Sequence, residues 1–181
     1  MPSDPAAVAP ELARLYARVF AEPPYREGPE QVQEFLTYYT EDSAKPGFAV
    51  VTAREDGTLV GFTYGTAQAP GKWWPGCDKP PPPAIMDGPS FAVYEWAVDK
   101  RYRGRGIGRE LMARILAHRP EQWATLTVNP AADAYRIYLR AGWRRVSMSY
   151  RDNTPPMVVL IRQIAGWSAI PWGVARGRGD R

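Results

Sequence analysis

The stretch Arg103-Gly104-Arg105-Gly106-Ile107-Gly108-Arg109 separates a β-rich run from an amphipathic one, and this junction constrains the fold more than any other feature. Phe91 to Val98 has the composition of a strand. Leu111, Met112, Ile115 and Leu116 recur at helical spacing. Ala124 to Val128 is a second short strand. A strand, a helix and a strand in this order form a crossover, so the two strands run parallel. At the junction the glycines let the main chain turn tightly and approach a ligand closely. The helix start offers unpaired N–H groups and a positive dipole end, and Arg103, Arg105 and Arg109 add charge. Together they suit a phosphate or pyrophosphate.

Two common phosphate loops are excluded. A Walker loop ends in Gly-Lys-Ser/Thr, whereas Gly108 is followed by Arg109-Glu110. A dinucleotide loop needs G-x-G-x-x-G; counted from Gly104 or Gly106, the sixth position is Arg109 or Leu111. What fits is Arg-x-x-Gly-x-Gly, read as Arg103, Gly106 and Gly108. The alternative for the turn alone is a basic, Gly-rich surface loop.

The rest of the chain reads as one domain over 10–165, with a flexible start (1–9) and a polar tail (166–181). With 181 residues, 45% of them hydrophobic, it can bury a real core. Pro10 is expected in the first turn of a helix carrying Leu12, Leu15, Tyr16, Val19 and Phe20, which stops before Pro23-Pro24. Pro29 opens a second helix with Val32, Phe35, Leu36 and Tyr39 on one face. A hairpin follows, Phe48 to Arg54 and Leu59 to Ala67, turning at Glu55-Asp56-Gly57. Ala69 to Pro89 is a long loop. Asp133 is the expected N-cap of a helix reaching Ala141 and ended by Gly142. Strands over 143–151 and 157–162 close the domain. The expected architecture is α/β with a mixed sheet.

Composition narrows the chemistry. The single Cys77 excludes an intramolecular disulfide, and the single His118 argues against a His-rich metal centre or a His-based triad. No apolar run approaches the ~18 residues of a membrane span, and no signal peptide is visible, so a cytoplasmic location is expected. A formal net charge of +4 selects neither an anionic small molecule nor a nucleic acid.

Glu95-Trp96-Ala97-Val98-Asp99, followed by Arg103 to Arg109 and its helix, resembles the GNAT superfamily of acyl-CoA-dependent N-acyltransferases. Tyr138-Leu139-Arg140-Ala141-Gly142-Trp143 is similar to the family's Tyr-x-x-x-Gly-aromatic element after the last helix. The resemblance covers roughly residues 10–162. It implies a largely antiparallel sheet with one splayed parallel pair, flanked by helices, and acetyl-CoA as acyl donor without a metal. The pyrophosphate then lies on the N–H groups of Gly104 to Arg109, with Gly106, Ile107 and Gly108 at the helix start. The edge of Trp96-Ala97-Val98 meets the pantetheine amides and offers an N–H to the thioester oxygen. The chain departs from the family in three places. No strand precedes the first helix; the family's common asparagine position is Ala131, with Asn129 nearby; and the strand Leu126-Thr127-Val128 carries no glutamate.

The resemblance makes Tyr138 the candidate general acid. Its alternative is a core tyrosine, since Ala134, Tyr135 and Tyr138 share helical spacing. Transfer to an ammonium needs a proton acceptor, for which Glu95 is the candidate, directly or through water. Its alternative is a strand carboxylate paired with a nearby arginine or hydrogen-bonded to a loop. Trp73 and Trp74 either wall the acceptor pocket or pack on the domain, and the resemblance makes Tyr25 another wall candidate. Cys77 is read as a bystander thiol, His118 as a helix-dipole partner, and Arg176-Gly177-Arg178-Gly179 as a solvated tail. The expected activity is acetyl transfer to a primary amine of a small molecule or peptide by direct sequential transfer. An acyltransferase using another acyl-CoA or an oxygen acceptor, or a silent CoA-binding module, is the alternative. No nucleic-acid or membrane partner is expected, and the chain is a monomer or homodimer.

Overall fold

A computed structural model of the chain describes residues 4–152 and 154–164. The expected tail signal at Arg176 to Gly179 lies outside them.

Two helices come first, α1 (Pro5–Phe20) and α2 (Pro29–Ser43). The first begins well before its expected start at Pro10. Asp4 accepts from the Ala6 N–H at 3.0 Å and caps it, Pro5 sits at the start, and Pro10 lies inside. The cap starts the helix early although 1–9 carries little apolar pattern beyond Val8. The strands β1 (Ala49–Glu55) and β2 (Thr58–Gln68) form the hairpin. Asp56 and Gly57 form its two-residue turn at positive φ (49° and 77°), which matches the twist of paired strands. The long loop contains a short helical turn, α3 (Pro83–Met86), whose Ile85 is fully buried. Then come β3 (Ser90–Val98), α4 (Ile107–Leu116), β4 (Trp123–Val128), α5 (Asp133–Arg140), β5 (Arg144–Ser149) and β6 (Met157–Gln163). Ala132, not Asp133, is the N-cap of α5, with no side-chain capping bond; Asp133 is the first helical residue and still complements the dipole.

The six strands form one sheet in the order β1-β2-β3-β4-β6-β5. Only β3 and β4 pair in parallel, and their ladder is short: Ser90, Phe91 and Ala92 face Trp123, Ala124 and Thr125. Beyond Ala92 the strands part. β3 stays paired with β2 as far as Val98, whereas β4 stays paired with β6 as far as Val128. A gap therefore opens within the sheet.

Two apolar cores lie on its faces. One gathers α1 and α2 against Leu59, Phe62, Tyr64 and Ala97. The other gathers Met112, Ile115 and Leu116 of α4 and Tyr138 of α5 against Phe91, Val93, Leu126 and Leu160. Tyr25 packs against both. Among the described residues, no helix is long and apolar enough to cross a membrane, and no His/Cys/Asp/Glu group could hold a metal ion.

Candidate active site

A β-bulge decides which side chains of β3 face which core. Glu95 pairs with Tyr64 but Val93 with Gly65, so Tyr94 is the extra residue. A bulge shifts the alternation of side chains by one. Phe91 and Val93 belong to the α4-side core, and Trp96, three residues on, packs against that same core. Ala97 belongs to the α1/α2-side core. Unbroken alternation would have sent Trp96 to the opposite face.

Trp96 fixes the Gly-rich turn. Its Nε1 donates to the Gly108 carbonyl at 2.8 Å. A Cβ on Gly108 would lie 2.6 Å from Trp96 Cζ2, so only glycine allows this approach. Gly104 (φ 76°) and Gly106 (φ 83°) lie in the left-handed region, and Gly106 is the N-cap of α4. The first α4 bond runs from the Glu110 N–H to the Gly106 carbonyl at 3.0 Å. Among the described residues, the N–H groups from Gly104 to Arg109 find no backbone acceptor in a turn or cap.

The turn opens onto a cleft of about 570 Å³. Its walls include Arg103, Gly104, Gly106 and the first turn of α4, Trp96 and Val98 on β3, Tyr25, and Tyr138. Arg103 is bonded to the Val98 carbonyl (3.0 Å) and Glu22 (2.8 Å). Arg105 does not line this cleft and forks onto Glu55. Arg109 lines it and makes no ion pair among the described residues.

Tyr138 has two surroundings. It belongs to the core, with ring contacts to Trp96 (5.1 Å) and Trp143 (5.7 Å), and it lines the cleft. Its hydroxyl has no hydrogen-bond partner among the described residues. Burial pushes the phenol well above its usual range, with Tyr25 and Glu95 adding to the shift, so it stays protonated at neutral pH. Trp143 also lines the cleft, and its Nε1 is the one buried side-chain donor without a partner among the described residues.

Glu95 shares the α1/α2 side of β3 with Ala97, and the groups acting on it electrostatically lie chiefly there. The arginine pairing offered as its alternative does not occur: no ion pair or side-chain hydrogen bond reaches its carboxylate among the described residues. Burial raises its carboxyl well above the usual range, and the nearby Glu27 raises it further. Its charge is felt in turn by Tyr16, Tyr25, Tyr64 and Tyr138. Tyr138 belongs to the opposite core and lines the cleft, whereas Glu95 is not among the residues that line it.

The other candidates fall elsewhere. Trp74 meets Tyr94 edge-on at 5.8 Å, and Trp73 donates to the Lys79 carbonyl at 3.3 Å; neither lines the cleft. The Asn129 side chain accepts from the Ala131 N–H at 2.9 Å. Burial pushes the Cys77 thiol up, which disfavours the thiolate. Glu27, not singled out in the sequence, is close enough for its charge to raise the Glu95 carboxyl. Only its place two residues after Tyr25 could have drawn attention to it.

A sequence-family model described as the acetyltransferase (GNAT) family matches residues 10–143. No curated protein matches the chain. Among solved structures it is similar to NAA60 of Arabidopsis thaliana with a bisubstrate analogue (17% identity, 87% of this chain, 94% of that one, TM-score 0.63). It is also similar to the PaiA N-acetyltransferase of Thermoplasma acidophilum with coenzyme A (13%, 87% and 93%, TM-score 0.57). A third likeness is an acetyltransferase of Thermus thermophilus (17%, 90% and 94%, TM-score 0.60).

Proposed function

The chain belongs to the acetyltransferase (GNAT) family, and from that premise we propose that it moves an acetyl group from acetyl-CoA directly to a primary amine. The observation that carries this reading is the gap beside β3, which opens above a turn of unpaired N–H groups. Acetyl-CoA brings a pyrophosphate, two amides and an activated acyl group. The N–H groups of Gly104 to Arg109 receive the pyrophosphate, with Arg109 and a released Arg105 neutralising its charge. The free edge of Trp96, Ala97 and Val98 receives the amides as a neighbouring strand would. The unpartnered Trp143 N–H is an additional donor in this half of the site.

An ammonium acceptor carries three protons, and one stays in the amide. Glu95 takes the first, directly or through a water, and passes it to solvent. As the N–C bond forms and the C–S bond breaks, Tyr138 gives its proton to the departing sulfur. The second nitrogen proton then restores the phenol. Tyr25, held against both cores, walls the passage between the two halves.

The test is thiol release from acetyl-CoA over polyamines, amino acids, aminosugars, aryl amines and peptide N-termini, with Tyr138→Phe alongside. The variant is expected to lose about 10²-fold or more in turnover, the usual worth of a positioned acid, with acetyl-CoA affinity nearly unchanged. Equal loss of both, or no loss, removes the acid role. No thiol release with any amine, and no acetyl-CoA binding by calorimetry, removes the reading itself.

A further inference from the structure

The cleft does not end at Tyr138. Trp143 and Arg162 line it as well, and strand register places them together. Trp143 directly precedes β5, whose Arg144 pairs with Ile161 of β6, so Trp143 stands level with Arg162. Leu160 and Ile164, two residues to either side of Arg162, belong to the α4-side core, so Arg162 shares the face of Trp143. Arg162 pairs with Ala124 of β4, and Ala124 with Phe91 of β3. From Phe91 to Val98 the strand climbs about 23 Å. The cleft therefore reaches from the Gly-rich turn to the closed end of the gap, and a ligand that fills it is an extended one.

The polar groups at this end lack a counterpart of the right kind. Trp143 is 2% exposed, and among the described residues its Nε1 is the buried side-chain donor without a partner. Native interiors leave few donors in that state. Met112, Ala113, Ile137 and Ala141, which line the same cleft, bring apolar side chains. Arg162 is half-buried, and its withdrawal from water disfavours its charge, yet a guanidinium stays protonated at neutral pH. It makes an interaction of its own, and five N–H donors leave room for another. The carboxylates that line the cleft belong to Glu22 and Asp133. Glu22 is paired with Arg103 beside the turn. Asp133 opens α5, about 10 Å along the helix from Arg140, which lines the cleft at its close and adds positive charge there.

We infer that the Trp143 end of the cleft is a subsite for an oxyanion carried by the acyl donor, which accepts from the indole N–H and lies against the Arg162 guanidinium. This rests on the acetyl-transfer reading and adds to it a second anchor, remote from the pyrophosphate. A neutral N–H suits any acceptor; the arginine beside it selects a negative one. Two parts of a coenzyme A thioester offer that chemistry: the 3′-phosphate, and a carboxylate that ends a longer acyl chain such as succinyl. Either one completes the buried donor and neutralises the half-buried cation.

Calorimetry with four probes separates the sources: coenzyme A, dephospho-coenzyme A, acetyl-CoA and succinyl-CoA, each on the parent, Trp143→Phe and Arg162→Gln. Phenylalanine keeps an aromatic ring and removes the N–H. If the 3′-phosphate is the oxyanion, the parent prefers coenzyme A to its dephospho form, and both variants are expected to shrink that preference about tenfold, the worth of one hydrogen bond to a charged group. If an acyl carboxylate is the oxyanion, the preference for succinyl-CoA over acetyl-CoA shrinks instead, by a similar factor. Each readout is a ratio within one protein, so a general loosening of the fold cancels. Arg162→Lys keeps the charge and is expected to recover part of whichever preference is lost. A folded Trp143→Phe that keeps both parental ratios overturns the inference while leaving acetyl transfer intact. Should that variant fail to fold, parental ratios in Arg162→Gln overturn it equally. A parent that binds none of the four probes has failed the underlying reading, and the inference falls with it.

Discussion

Replacing Gly108 by alanine adds one methyl group where the helix start touches β3. That methyl would stand 2.6 Å from Trp96 Cζ2, a distance real Cβ atoms essentially never show, and a tight 3.1 Å from Cε2. Either the indole swings out or α4 lifts from the sheet, and both break the 2.8 Å bond from Trp96 Nε1 to the Gly108 carbonyl. Overpacking costs about 1–3 kcal/mol. The lost hydrogen bond adds about 1 kcal/mol. Alanine returns about 1 kcal/mol through helix propensity. About 2 kcal/mol of destabilisation remains, or roughly 4–8 °C in Tm for a domain of this size. Gly104 behaves differently. Nothing lies within 4 Å of a Cβ there, and its φ of 76° is the only obstacle. Gly104→Ala should cost about 1 kcal/mol, and Gly104→Asn less, because asparagine tolerates the left-handed region. Thermal denaturation with and without acetyl-CoA checks both. Gly108→Ala should also lose most of the stabilisation by acetyl-CoA, since the N–H groups move with the helix. A variant as stable as the parent, with an undiminished ligand shift, would refute the account of this contact.

Two further outcomes follow. Glu95→Gln should raise Tm at pH 8 more than at pH 5: the folded carboxyl is raised, so the folded state holds its proton longer than the unfolded chain, and stability falls as pH climbs from about 4.5 through the raised value. Thermal scans across that range decide it, and an equal gain at both pH values counts against a desolvated carboxylate. Glu55→Gln should release Arg105 and strengthen CoA binding, whereas Arg105→Ala should weaken it about fivefold and flatten its salt dependence. The exposed pair itself adds little to stability, and calorimetry at two salt concentrations reads the difference.

The crossover, the hairpin and the Gly-rich turn were legible because each is local: apolar spacing, glycine placement and turn chemistry lie within a few residues of one another. The β3 bulge was not. Nothing in Val93-Tyr94-Glu95 announces an extra residue, yet it sets the faces on which Trp96 and Glu95 act. Glu27 was hidden for a related reason. Its partners, Tyr16 and Glu95, lie 11 and 68 positions away, and a glutamate in a Pro-rich loop reads as solvated until the fold places it. Trp73 and Trp74 show the same limit from the other side. They precede the strand in sequence, but the loop carries them to Lys79 and Tyr94. The start of α1 was missed because one capping aspartate outweighed a stretch of weak apolar pattern.

The three-rung seam between β3 and β4 makes this protein, in mechanical terms, two leaves on a narrow spine. One leaf carries β1 to β3, the other β4, β6 and β5, and the packing of α4 and α5 supplements the backbone bonds at the joint. A guest lodged in the notch would share its grip between both leaves and act as mortar. Each catalytic cycle would then set and dissolve part of the molecule's own masonry, tying how firmly the donor is held to how quickly its spent carrier can leave.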